Sequence, residues 1–385
     1  MPAAPSSLAL SARYALVSAG TFATIGIFMP FWPLWLESRG LTPGEIGILL
    51  AVNVWVRVPT GPLVGHLADL GGSPKFALVA ASAACLFAFA LFLFPGGFWQ
   101  LLIRQALAAT ALNAMIPLCE SLTMQAVRRR DLIYGRIRIW GSLAFITAAF
   151  GGGAMIAPED AGIVLWLLLA ALTLSTLANL ALPNEGRRSG PRRIETRWLD
   201  LLRHRNLLRF LVAAAVLQSS HALLYGFSSL YWTASGISAG EVGALWAIGT
   251  AAEIVLFWMS ARLVGRLTPP QLLLVASTCG VLRWSLFAMT TELPLLALGQ
   301  LLHAGTFGIT HLAAMNMITD SAPPDRIASV QTLYSGVVGG LAMGAMMLLS
   351  GDLYEWAGGQ AFFAMAMVSV AGAALALPLL ASRER

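Results

Sequence analysis

Twelve times along this chain the sequence passes through a run of about 20 residues that is apolar or nearly so. Wound as α-helix, such a run crosses the ~30 Å hydrocarbon layer of a bilayer. The runs cover approximately residues 10–36, 43–67, 76–94, 98–126, 139–157, 162–182, 207–233, 241–264, 271–290, 294–319, 327–350 and 357–380. They are long and do not alternate with period two, which points to helices rather than barrel strands. Charged residues make up only 11% of the chain against 58% hydrophobic. A soluble domain carries about 25% charge, so this chain lacks the means to cover a water-facing surface. The expected class is an all-α integral membrane protein.

The net charge of +6 does not signal nucleic acid once the basic residues are sorted by loop. With the N-terminus in the cytoplasm, all but four of the 24 Lys and Arg fall on cytoplasmic loops, tails and helix ends. The exceptions are Arg39 outside, and Arg57, Arg104 and Arg283 within the apolar runs. That asymmetry predicts both termini inside, and the expected location is the bacterial inner membrane, as a multi-pass protein. The leader before the first run is short for a cleavable signal, so that run is expected to stay as a spanning helix. Cys85, Cys119 and Cys279 lie in apolar stretches and no disulfide framework is expected.

"RGLTPGEIGILL" from Arg39 and "SGISAGEVGALW" from Ser235 are two versions of one phrase, 196 residues apart in a chain of 385. An echo at half the chain length indicates a duplicated unit. Both copies stand between the first and second runs of a six-run half. Thr42 with Glu45 and Ser238 with Glu241 have the spacing of capping boxes, so both glutamates read as helix caps. The longest connection, rich in Arg and broken by Gly and Pro, separates the halves. The expected domains are residues 1–182 and 207–385, two pseudo-symmetric six-helix bundles, joined by a cytoplasmic linker, 183–206.

"GHLADLGGSPK" from Gly65 resembles the loop that follows the second helix of major facilitator transporters. "YGRIRIWGSLAF" from Tyr134, "HALLYGFSSLYW" from His221, "AEIVLF" from Ala252 and "LLHAGTFGITHLAAM" from Leu301 narrow the resemblance to the 3-phenylpropionate permease branch. That branch is related to the lactose permease and to nucleoside–proton symporters. The resemblance implies twelve transmembrane helices and alternating access. It also implies that Asp69 braces a cytoplasmic gate, with Lys75, Arg136 and Arg138 as further gating candidates.

Ionised groups are costly in hydrocarbon and usually face the bundle interior, so they are the candidates for chemistry. Arg57, Glu120, His221, Glu253, Arg283 and His303 lie inside the apolar runs, and His311 follows two turns after His303. Glu253 is the leading proton carrier, with Glu120, His303 and His311 as further proton-coupling candidates. A carboxyl in a low-dielectric site holds a proton that a nearby Arg can expel. The lactose permease has an acid, an Arg and a His on its eighth, ninth and tenth helices. Glu253, Arg283 and His303 or His311 are similar by helix and type. Unlike that pattern, neither His is followed three residues later by a carboxylate: Thr306 and Ala314 stand there. A static ion pair that only orients helices is the bland alternative.

Arg283 suits a carboxylate through its planar fork, with Arg57 second. Arg104, close to its helix start, can instead snorkel to the outer interface. At the repeat offset Arg57 matches Glu253, opposite charges at similar depth, which can pair with each other or each within its own half. Gln300, His303, Thr310 and His311 form a polar arc on one helix. His221, Tyr225 and Trp246 add an aromatic wall that suits an aromatic acid as well as a sugar or nucleoside. The expected function is proton-coupled uptake of a small organic solute, an aromatic carboxylic acid such as 3-phenylpropionate being favoured. Nucleoside or sugar symport and drug/proton antiport are alternatives of the same class, and haem ligation by His221 and His303 belongs to another. No enzyme motif, ATP-binding loop, metal site or cofactor is expected. The partners are substrate, protons and lipid, not nucleic acid, and the chain is expected to be a monomer.

Overall fold

The computed structural model describes residues 7–60, 73–157, 160–183, 205–263, 265–321 and 327–381. Asp69 and most of the linker lie outside the described residues. Every described element of regular structure is a helix. In chain order these are α1 (Ser7–Ser38), α2 (Pro43–Trp55), α3 (Pro74–Ala90), α4 (Phe98–Arg130), α5 (Tyr134–Ala154) and α6 (Ile163–Leu180). There follow α7 (Arg205–Ser219), α8 (Ala222–Ala234), α9 (Ala239–Leu263), α10 (Pro269–Met289), α11 (Leu293–Leu301) and α12 (Ile309–Ser321). The last are α13 (Ile327–Gly336), α14 (Met343–Ala357) and α15 (Phe362–Ala381).

Among the described residues, ten stretches are long and apolar enough to cross a membrane. Two features separate that number from the twelve runs of the sequence. Described alone, α2 has only 13 residues. The last two runs merge into one 51-residue stretch, Val330–Leu380. The connection expected at 351–356 is helical, because nothing breaks α14 before Gly358, whose φ of 55° turns the chain. Three of the runs are interrupted rather than straight. Residues 220–221 separate α7 from α8, and wide π turns at Ala304–Gly308 and Val337–Ala342 separate α11 from α12 and α13 from α14.

The echoed phrases fold alike. Gly40 and Gly236 take φ of 79° and 90°, where a Cβ would be strained, and end the preceding helices. Thr42 N–H donates to Glu45 Oε2 at 2.9 Å and Glu45 N–H to Thr42 Oγ1 at 3.3 Å. Ser238 and Glu241 repeat both bonds at 2.8 and 3.3 Å. Both glutamates are caps, as their spacing indicates.

The chain forms two compact units. Unit 1 holds residues up to Leu41, Trp55 to Arg192, and Ser238–Ala247. In it α1 packs on α5 and α6, and α3 on α4 and α6, around Tyr14, Val17, Leu118, Leu122 and Ile137. Unit 2 holds Thr42–Val54, Arg193–Ile237 and Ile248 onward. There α10 packs on α15 and α12, and α8 on α14; Phe210, Leu272, Leu273, Ala313 and Ile318 form its core.

The two echoed segments are thus exchanged: the helix start of each half belongs to the unit built mainly from the other half. Glycine makes this packing close. In unit 2, a Cβ on Gly47 would stand 3.1 Å from Gly351 Cα and from Met347 O. In unit 1, one on Gly243 would stand 2.1 Å from Ala149 O, and one on Gly153 2.3 Å from Ala239 O. Without a driving hydrophobic effect between helices in lipid, such close backbone approach is how they hold together.

Candidate functional site

Two of the interrupted helices of unit 2, those broken at 220–221 and at Ala304–Gly308, meet where its charges are. Between α7 and α8 the backbone tightens, Ser220 N–H and His221 N–H donating to Leu217 O and Gln218 O. The Ser219 and Ser220 hydroxyls bond back to Val216 O and Leu217 O, competing with the regular ladder. Ser220 Oγ also accepts from Trp284 Nε1 of α10 at 3.1 Å. Facing this break, the π turn after α11 carries Thr306 and Phe307. Irregular backbone at membrane depth is tolerated where protein surrounds it, and π turns recur at functional sites.

Arg283 of α10 is fully buried there. Its Nη1 donates to His303 Nδ1 at 3.1 Å and to Thr306 Oγ1 at 2.9 Å. Nη2 donates to Gln300 Oε1 at 2.7 Å. Nε–H has no hydrogen-bond partner among the described residues. The guanidinium lies over Trp284 and Phe287, 4.6 and 5.4 Å from their ring centroids. These rings shield the cation from one direction and attract it through their π faces.

His303 connects Arg283 to Glu253. Its Nε2 is 3.5 Å from Glu253 Oε2 of α9. The Glu253 side chain is 25% exposed and that of His303 14%, so the acid is the accessible end of the chain. Glu253 and Arg283, which the sequence allowed to pair directly, are bridged through the imidazole. His221 is fully buried: Nδ1 is 3.1 Å from Gln218 O and Nε2 is 2.9 Å from Thr306 Oγ1. Tyr225 stacks on His221 at 5.7 Å. Phe307 stacks between His303 and His311, with centroids 5.3 and 6.3 Å away. His311 therefore stands apart from the Arg283 cluster, beside Phe257 and Tyr334.

Unit 1 contains a second polar cluster. Glu120 Oε1 pairs with Arg138 Nε at 3.2 Å, and Tyr134 OH donates to Glu120 Oε2 at 2.8 Å. Arg138 also lies over the Phe22 ring at 3.9 Å and donates to Ser142 Oγ at 3.3 Å. The pair is about one-third exposed, 29% for Glu120 and 32% for Arg138. Trp246 is buried in this unit, and Arg57 and Arg136 are exposed. Lys75 points back onto its own unit, its Nζ donating to Leu182 O and, at 2.8 Å, to Leu180 O at the end of α6. Arg104 donates to Phe94 O and Pro95 O at 2.7 and 3.2 Å, closing the turn between α3 and α4.

Sequence reasoning passed over Thr306, noticed only as a missing carboxylate, and Tyr134. The signal for both was spacing: Thr306 is three residues beyond His303, and Tyr134 is one helical turn before Arg138. The haem reading finds no support in the rings. Nε2 of His221 is taken by Thr306 and that of His303 by Glu253, and the two rings lie edge-on at 5.7 Å rather than facing one iron.

Residues 11–365 match the MFS_1 like family model. A probable 3-phenylpropionic acid transporter of Escherichia coli (strain K12) is 34% identical over 354 residues, which cover 91% of this chain and 92% of the relative. A maltose permease of Geobacillus stearothermophilus is 27% identical, covering 94% and 93%. Among solved structures, the nucleoside transporter NupG superposes with a TM-score of 0.85 at 15% identity, over 98% of this chain and 99% of that one. At that identity the likeness speaks for the fold.

Proposed function

From the premise that this chain belongs to the MFS_1 like family of major facilitator transporters, we propose that it is a proton-coupled symporter. It takes up a small aromatic carboxylic acid by alternating access. The reading includes the twelve-helix plan with halves at 1–182 and 207–385, and residence in a bacterial cytoplasmic membrane with both termini inside. One observation carries it. A fully buried arginine, Arg283, leaves Nε–H unfilled and is linked through a single imidazole to a partly exposed carboxylate, Glu253.

The chemistry follows from charge balance. With Glu253 ionised, the cluster holds one cation and one anion. A proton on Glu253 leaves the Arg283 charge uncompensated, and an organic anion then restores neutrality. Each cargo therefore strengthens binding of the other, as linkage requires. The unfilled Nε–H edge of Arg283 supplies the geometry for a carboxylate. The likeness to a probable 3-phenylpropionic acid transporter, 34% identical, supports the substrate class. Trp284, Phe287 and Tyr225 are the aromatic surfaces of the same neighbourhood.

A nucleoside or sugar is the second reading. Glu120, Tyr134 and Arg138 offer hydroxyl groups both acceptors and donors in one place. The test is uptake into proteoliposomes of aromatic acids, nucleosides and sugars, with and without an imposed pH difference. Accumulation of an aromatic acid only under an inward proton gradient is the expected result. Accumulation that ignores the gradient, or transport of uncharged solutes alone, overturns the proposal.

A further inference from the structure

Proton positions in the unit 2 cluster follow from its two ends. Arginine only donates, so His303 Nδ1, 3.1 Å from Arg283 Nη1, must accept. The ring hydrogen of His303 is then on Nε2, aimed at Glu253. At the other end a carbonyl only accepts, so His221 Nδ1 carries a hydrogen toward Gln218 O. His221 Nε2 is left to accept or to carry a second proton. Thr306 decides which. Its hydroxyl accepts from Arg283 at 2.9 Å and has two acceptors for its one hydrogen, His221 Nε2 at 2.9 Å and His303 O at 3.3 Å. A charged His221 would bury a second cation against the same hydroxyl as Arg283, at a site closed to water. The hydroxyl therefore donates to His221 Nε2.

We propose that Thr306 is the positioning residue of this cluster: its hydroxyl seats Arg283 and fixes His221 as the neutral Nδ1–H form, so that an arriving proton is held by Glu253 and by neither imidazole. This assignment rests on the symport reading for the identity of the proton carrier. The groups facing His303 are Glu253 from α9, Arg283 from α10, His221 from the α7–α8 break and its own neighbours Thr306 and Phe307. Tyr225 stacks on the His221 ring.

The chain has five histidines, which makes selective 15N-histidine labelling of the full-length protein in nanodiscs practicable. At neutral pH two neutral rings of opposite tautomer are expected, His221 as Nδ1–H and His303 as Nε2–H, assigned with His221→Gln and His303→Gln. Thr306→Ser keeps both signals and the pH profile of substrate exchange. Thr306→Val removes the fixed His221 tautomer, displaces that pH profile and lowers gradient-driven uptake by about tenfold, the scale of one lost hydrogen bond to a charged group. Wild-type His221 as Nε2–H or as the cation, His303 carrying hydrogen on Nδ1, or a valine variant with wild-type spectrum and pH profile each overturns the proposal. The spectra need no substrate. Failed uptake with the expected tautomers therefore counts against symport, and wrong tautomers count against Thr306.

Discussion

Nη1 of Arg283 lies 3.1 Å from Nδ1 of His303. Because the guanidinium has no lone pair to offer, this contact commits the imidazole to one tautomer and turns its remaining N–H toward Glu253. An arginine thereby acts on a carboxylate it does not touch.

Glu253→Gln preserves an oxygen for His303 Nε2–H but cannot be loaded with a proton. Uphill accumulation under a pH gradient should vanish while exchange of substrate at equal pH persists. Normal accumulation by the glutamine variant removes Glu253 from the proton path.

Arg283→Gln should weaken binding of an aromatic acid by at least ~100-fold and that of the matching primary alcohol far less. The scale is that of deleting one member of a desolvated charge contact. Arg283→Lys keeps the charge without the planar fork and should fall between. Calorimetric titration of both ligands decides; equal losses would mean that the cluster has collapsed.

Gly243→Leu places side-chain atoms where Ala149 O now lies, 2.1 Å from the Cβ position. The start of α9 cannot then close on α5. A cysteine introduced near Ser238 should react faster with a membrane-impermeant maleimide, and net uptake should be lost with the protein still folded. Unchanged labelling would show that this contact does not set closure.

Lys75→Met removes the donor to the carbonyls that end α6. The bond is partly solvated, so the cost is ~1 kcal/mol, seen as a fall of about 1 °C in apparent melting temperature with uptake nearly unchanged. Lost uptake at unaltered thermal stability would restore Lys75 to the gate.

Exchanging Glu120 and Arg138 tests whether their pair only orients helices. Glu120→Arg with Arg138→Glu rebuilds the ion pair with its polarity reversed. Thermal stability should recover relative to the single variants, but transport should not, since the contact with the Phe22 ring suits only a cation at position 138. Full recovery of transport would make the pair purely structural.

What the sequence determined is what depends on local or repeated pattern. Run length and the scarcity of charge dictated membrane helices, since unpaired backbone is intolerable in lipid. The 196-residue echo, with Gly40, Gly236, Glu45 and Glu241, specified its turns and caps outright, because a positive φ and a capping box involve only neighbours along the chain. Their position as ionisable groups inside apolar runs singled out Glu253, Arg283 and His303 as costly to bury.

Tertiary structure alone decided how those charges connect. That His303 bridges Arg283 to Glu253, that Thr306 joins Arg283 to His221, and that Lys75 caps α6 all depend on contacts 20 or more residues apart in sequence, between helices whose rotation no period records. The broken helix at His221 and the π turn at Thr306 were equally invisible, because neither contains proline and both are held by partners on other helices. A sequence period fixes which face of a helix is polar; only packing fixes what that face meets.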